Sequence, residues 1–348
     1  MSSMPHFPES PGNVGNTLGP PNPPKVKTMP GMTPKRPLNS RCFLTPARTI
    51  CARRYWMVAV LLCGLMTPLL STAKEVLLQT TANPDIRQGY VDAPMGQVHY
   101  WTAGEGPVLL LVHQSSSTVE EYAGLVPYLA DHYRLVTWDW PGHGLSDDPL
   151  EELGVAGYTA AGLAVLDHLG IEKFHVLGHH GGALVAMNLA WQHADRVNRV
   201  ILSGTSGVKP PEDIEKFTES LDLEERNRLD RDGRSLSDAW GRYLGYLPDS
   251  APEEILVPYV ANVANRLRPY DAHFGVLRWD RRPALAGIAD KHILLMQGSR
   301  DDFVSRQETL LEQLPNARRV VIDDAGAFMF FEKPGEIAAE VAGFLGED

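Results

Sequence analysis

The chain has 348 residues, 43% apolar and 22% charged, with a net charge of −11, an ordinary globular composition with room for one large domain or two smaller ones. The charge is divided: residues 1–73 carry eight Lys and Arg against one acidic residue, Glu9, and the rest of the chain carries 24 basic and 42 acidic residues. An acidic body disfavours nucleic acid and anionic membrane surfaces as partners. With Cys42, Cys51 and Cys63 all ahead of residue 74, that body can hold neither a disulfide framework nor a cysteine nucleophile.

Residues 1–52 are rich in Pro, Gly, Asn and Ser and show no hydrophobic period. Such a segment buries too little apolar surface to offset chain entropy, and a disordered extension is expected. Residues 53–73 then run from Arg53-Arg54 through the apolar stretch Val58-Ala59-Val60-Leu61-Leu62 to Ser71-Thr72-Ala73. A basic start, a short apolar core and small residues at the end predict an export signal cleaved after Ala73. The Arg-Arg pair points to twin-arginine export, with a periplasmic or secreted product that keeps no stable membrane partner. An uncleaved signal anchor is the alternative, and Met29 or Met32 offers a start nearer the signal.

From residue 86 strands and helices alternate. Gly89-Tyr90-Val91-Asp92 and Val98-His99-Tyr100-Trp101 predict an opening hairpin. Val108-Leu109-Leu110-Leu111-Val112 is uniformly apolar, as a strand covered on both faces must be. Further strands are predicted at Leu135-Val136-Thr137-Trp138, at Val176-Leu177, at Arg199 to Ser203, at Ile293 to Gln297 and at Arg319 to Ile322. Helices are predicted from Val155 to Leu169, over Ala183 to Ala190, and from Pro334 to Leu345. Strands separated by helices predict a mostly parallel sheet with right-handed crossovers. Residues 207–282 interrupt the alternation with polar, helical sequence broken by prolines. They predict a helical cap set between two parts of one core, residues 74–206 and 283–348.

Five segments carry chemistry. They are His113-Gln114-Ser115 after the apolar strand; Asp139-Trp140-Pro141-Gly142-His143-Gly144-Leu145-Ser146-Asp147; Gly178-His179-His180-Gly181-Gly182; Gly298-Ser299-Arg300-Asp301-Asp302-Phe303-Val304; and Ala325-Gly326-Ala327-Phe328 leading to Glu332-Lys333-Pro334. In this order they resemble the α/β-hydrolase fold superfamily over essentially all of residues 86–348. The resemblance implies an α/β fold: a mostly parallel central sheet flanked by helices, with an inserted helical cap. It implies that Gly178 to Gly182 is the nucleophile elbow, that Asp301 is the acid, and that the N–H groups of Ser115 and Gly181 form the oxyanion hole. Two positions depart from the family pattern. His180 stands where the nucleophile belongs, and Ala327 stands where the family has its catalytic histidine. The chain therefore resembles a branch with histidine at the elbow, and acyl-serine chemistry at position 180 is excluded.

The two departures compensate. One adds an imidazole at the elbow and the other removes one beside it, so His180 is expected to reach Asp301 and form a dyad. A carboxylate orients an imidazole and raises its basicity. Such a dyad suits three chemistries: activation of water for hydrolysis of a small ester, lactone or amide, direct nucleophilic attack by the ring, or abstraction of a carbon-bound proton in a lyase or isomerase. A non-catalytic binding protein on a relic elbow is the competing reading. The expected partner is a small carbonyl compound. Gln114, Trp140, His273 and Phe328 are candidate substrate contacts. His179, His113 and His143 are read as packing or loop-bracing residues. No metal or other cofactor is expected, because the histidines show no recognised ligand spacing.

Overall fold

The computed structural model describes residues 85–205, 207, 230–247, 256–268, 270–304 and 307–346. The expected extension, residues 1–52, and the expected export signal, residues 53–73, lie outside these, as do residues 208–229 and 248–255 of the expected cap. The apolar run becomes β3 (Val108–Val112), inside an eight-stranded sheet of order β1-β2-β4-β3-β5-β6-β7-β8. The hairpin strands are β1 (Ile86–Ala93) and β2 (Gly96–Ala103), and β2 runs antiparallel to β4 (Arg134–Trp138). From β4 onward every pairing is parallel, through β5 (Phe174–His179), β6 (Val197–Ser203), β7 (His292–Gly298) and β8 (Arg318–Ile322).

Period-two alternation on β3 splits its side chains between two cores. Leu110 and Val112 join one apolar cluster, and Leu109 and Leu111 the other. The first cluster is closed by α2 (Val155–His168) and α3 (Gly181–Gln192), the second by α10 (Pro334–Leu345). Burial on both faces explains the run without a polar residue. Each such side chain stabilises the fold by about 1.5–3 kcal/mol. Smaller helices are α1 (Val126–Leu129), α8 (Gln307–Gln313) and α9 (Met329–Glu332).

Between β6 and β7 the described residues form α4 (Arg234–Leu244), α5 (Leu256–Arg266), α6 (Ala272–Leu277) and α7 (Arg282–Ile288). Helices α4 and α5 pack Ala239 and Val263 against Phe328 in a small third cluster that Trp240, Leu247, Ala327 and Phe331 extend. Ala272 and Val276 of α6 instead belong to the first core cluster. The loops after β3, β5 and β7 leave the carboxyl ends of neighbouring parallel strands, which is where open α/β sheets place ligands.

Candidate active site

The elbow follows from the tightness of its turn. Strand β5 ends at His179 and α3 begins at Gly181, so one residue, His180, reverses the chain. It does so at φ 47° and ψ −113°, a left-handed conformation that costs a non-glycine residue about 1–3 kcal/mol. Strand and helix then cross so closely that a Cβ on Gly178 would fall on the carbonyl of Gly182, and one on Gly182 on the carbonyl of Val112. The His180 N–H donates to the Ser203 carbonyl at 2.8 Å and locks the turn onto β6.

This geometry brings His180 and Asp301 together. Nε2 of the ring lies 2.8 Å from Oδ2 of Asp301, whose other oxygen accepts the Phe303 N–H at 3.0 Å. Burial alone would raise the Asp301 pKa, but the neighbouring imidazole and these hydrogen bonds hold it below the usual carboxylate value. An ionised Asp301 only accepts, so the proton of the neutral ring sits on Nε2 and the lone pair on Nδ1. Nδ1 has no hydrogen-bond partner among the described residues, and 18% of the His180 side chain is exposed. The ring rests on Gly204 and meets Phe303 and His179 edge-on at 5.1 and 4.3 Å. His179 is buried and pushed down to about 3 by that burial. Its Nε2–H donates to the Ala327 carbonyl at 2.9 Å and its Nδ1 accepts from the Ser203 hydroxyl at 3.0 Å.

The loop after β3 faces the start of α3. Ser115 is so close to Gly181 that a Cβ there would lie 3.3 Å from the Ser115 amide nitrogen. Neither the Ser115 nor the Gly181 N–H finds a protein acceptor among the described residues. Two such amides, with the positive end of α3 behind one of them, favour a negatively charged oxygen. Two buried histidines brace the loop, both held neutral by burial. His113, pushed down to about 4, donates from Nδ1 to the Gln114 carbonyl at 2.8 Å and accepts the Trp140 N–H at 3.1 Å. His143, pushed down to about 3, accepts the Ser116 N–H at 3.3 Å. The Gln114 N–H donates to Glu121 at 3.2 Å.

Asn265 of α5 completes the brace. Its amide donates to the carbonyls of Ser116 and Ser117 at 3.0 and 2.9 Å, and its oxygen accepts the Gly144 N–H at 3.2 Å. The sequence reading missed both Asn265 and Glu121. The available signal for Asn265 was the pair Asn262 and Asn265, one helical turn apart and both buried.

Three of the candidate contacts are held by packing or pairing with their neighbours. Trp140 is fully buried and stacks on Tyr158 at 4.4 Å, so it is core rather than mouth. His273 gives its Nδ1 to Asp271 at 2.6 Å, at the cap of α6, and its Nε2 faces Arg266 at 3.5 Å. Phe328 is 3% exposed and is consumed in packing against α4 and α5. Gln114 does reach the site, donating to the Ala327 carbonyl at 3.4 Å. The position emptied of histidine, Ala327, is partly buried against apolar side chains, with its carbonyl taken by His179 and Gln114. Among the described residues no group of three or more His, Cys, Asp or Glu is disposed to hold a metal ion.

A family model described as alpha/beta hydrolase fold matches residues 107–334. The chain belongs to the α/β-hydrolase fold family. Its relatives include an uncharacterised protein of Mycobacterium tuberculosis, 36% identical over 106 residues that cover 30% of this chain and 31% of that one. Haloalkane dehalogenase 2 of the same organism is 32% identical over 123 residues, 33% of this chain and 41% of its own. The match thus spans well under half the length of these relatives. Among solved structures the enol-lactonase of Burkholderia xenovorans superposes with a TM-score of 0.61 at 23% identity, over 74% of this chain and 100% of its own, a likeness of fold.

Proposed function

We propose that this α/β-hydrolase is an enzyme that hydrolyses a small ester, lactone or related carbonyl compound by direct attack of water, with His180 and Asp301 in place of a Ser-His-Asp triad. The observation that carries the reading is the 2.8 Å contact of Nε2 with Asp301, which leaves Nδ1 without a partner among the described residues on a partly exposed ring. In the first step Nδ1 takes a proton from water and the hydroxide oxygen bonds to the carbonyl carbon. The carbonyl oxygen becomes an oxyanion between the Ser115 and Gly181 amides, and Asp301 stabilises the imidazolium. In the second step the bond to the leaving oxygen breaks and Nδ1–H returns its proton to it. General-base catalysis of this kind is worth about 10²–10⁴ in rate, and an oxyanion donor about 10²–10³.

The family supports hydrolase chemistry, and the named relatives act on halogenated alkanes and enol lactones by their own titles. The proposal includes export directed by residues 53–73 and a cap formed by the helices between β6 and β7. The test is a screen of the purified chain against short acyl esters and lactones, alongside His180→Ala and Asp301→Ala. Activity lost in both variants supports the reading. Activity that survives both, or labelling by a serine-directed phosphonate, removes it.

A further inference from the structure

Two carboxyl groups bear on His180 from different elements. Asp301 touches it from the loop after β7. Glu121 belongs to a 3-10 helix, Val119–Leu125, directly behind the loop that carries Ser115. Both are buried, with opposite outcomes. Asp301 is compensated by the His180 ring and the Phe303 amide, and stays below its usual value. Glu121 is 1% exposed, accepts the Gln114 N–H through Oε2 at 3.2 Å, and has Oε1 without a hydrogen-bond partner among the described residues. Burial pushes it up to about 7, and the Ser117 hydroxyl, the Gln114 groups and the charge of His180 only partly oppose that.

Resting on the hydrolytic reading above, we propose that Glu121 is the positioning acid of the oxyanion pocket. It stands behind the Ser115 amide as a neutral carboxylic acid, and an anionic oxygen settles between the Ser115 and Gly181 amides while that proton is held. The physical reason is charge. An ionised carboxylate beneath the same short loop opposes a second negative charge across low-dielectric protein, and a neutral acid does not. Linkage makes the effect reciprocal, so an anion in the pocket strengthens the hold of Glu121 on its proton.

Glu120, the neighbour of Glu121 on the same helix, is also pushed up to about 7, by burial and then by the charge of Asp139. The other charged groups around this helix, among the described residues, have partners of their own. Tyr122, next in sequence, donates its hydroxyl to the Val112 carbonyl at 2.8 Å. From α9, Glu332 is paired with Arg300, and Lys333 turns to Glu336 of α10 at 3.4 Å. Asp139 faces His99 at 2.8 Å and the Val119 N–H at 2.9 Å. On α1 the one ionisable side chain, Tyr128, is exposed. Among these groups it is the charge of His180 that opposes the rise of Glu121.

The test is calorimetric titration of the full chain with butyrate, in buffers of different protonation enthalpy, between about pH 6 and 8. The wild-type affinity should fall about tenfold across that range, with proton uptake on binding. In Glu121→Gln, which keeps an acceptor for the Gln114 N–H, most of this pH dependence should vanish; in His180→Gln the Glu121 part should remain. Carbon-13 NMR of carboxyl-labelled glutamate should show two resonances titrating near neutrality, those of Glu120 and Glu121, of which one is missing in Glu121→Gln and the other in Glu120→Gln. An unchanged pH dependence in Glu121→Gln, or a Glu121 carbon already ionised at about pH 6, overturns the proposal while leaving the hydrolytic reading standing. Failure of butyrate to bind the wild type at any pH removes the oxyanion pocket, and both readings with it.

Discussion

Gly204 is where the dyad geometry can be stressed most selectively. It follows β6 at φ 60°, and a Cβ built on it would lie 2.6 Å from Nε2 of His180, closer still to Cδ2, and 3.0 Å from Cε1 of His179. His179 is locked by two hydrogen bonds, so in Gly204→Ala the His180 ring has to swing away from Asp301. The left-handed backbone costs about 1–2 kcal/mol with a Cβ, and the lost charge-assisted hydrogen bond about 1.5–3 kcal/mol. Together they amount to roughly 3–5 kcal/mol, a large share of the about 5–15 kcal/mol that stabilises a typical domain. Gly170 supplies the control: its φ is 66° and a Cβ there meets nothing within 4 Å, so Gly170→Ala should show the backbone cost alone. Urea denaturation of both variants gives the difference, and turnover in Gly204→Ala should drop by about 10²-fold, the usual consequence of displacing a catalytic group by an ångström. Equal destabilisation of the two variants, with turnover intact in Gly204→Ala, would show that the ring does not lie between Gly204 and Asp301.

Asn265→Ala strips partners from two carbonyls and one amide and should cost about 2–4 kcal/mol; turnover should fall with it because the Ser115 loop loosens, and circular dichroism melts with parallel kinetics check both. Glu121→Gln should change the shape of stability against pH. The folded-state pKa of Glu121 is raised to about 7, so its contribution is complete below the unfolded value of about 4.3 and is lost as pH rises through neutrality. Wild type should therefore weaken relative to the variant across that window, by on the order of a few kcal/mol, in urea titrations at stepped pH. His143→Gln should show the opposite sign. His143 is depressed to about 3, so its contribution is present above the unfolded value of about 6.5 and disappears as pH falls. A wild-type advantage that is constant between about pH 4 and 7 would contradict the buried neutral ring.

The sheet was legible because burial on both faces writes itself as uninterrupted apolar runs, as at Val108 to Val112. The last helix was bounded by Pro334 and ended at Leu345, as its pattern indicated. The pairing of His180 with Asp301 was legible because an elbow fixes one residue at one place and a short loop fixes the other. What composition could not convey was which polar side chains turn inward. Trp140 looked like a lip residue and is held in the core by stacking on Tyr158. Glu121 drew no notice in the sequence, and it is enclosed because its helix lies under the Gln114 loop. Asn265 sits in a helix far from the motifs in sequence, and only the folded insertion brings it to Ser116.

The most direct measurement is a double-mutant cycle on kcat/KM for a hydrolysed ester or lactone, with His180→Gln, Asp301→Asn and the pair. If the imidazole works only as Asp301 holds it, each single change should cost about 10²–10⁴-fold, and the second change should add almost nothing to the first. Losses that multiply, or a His180→Gln enzyme that turns over like the wild type, would mean that the 2.8 Å contact is a structural pair and that the chemistry belongs elsewhere.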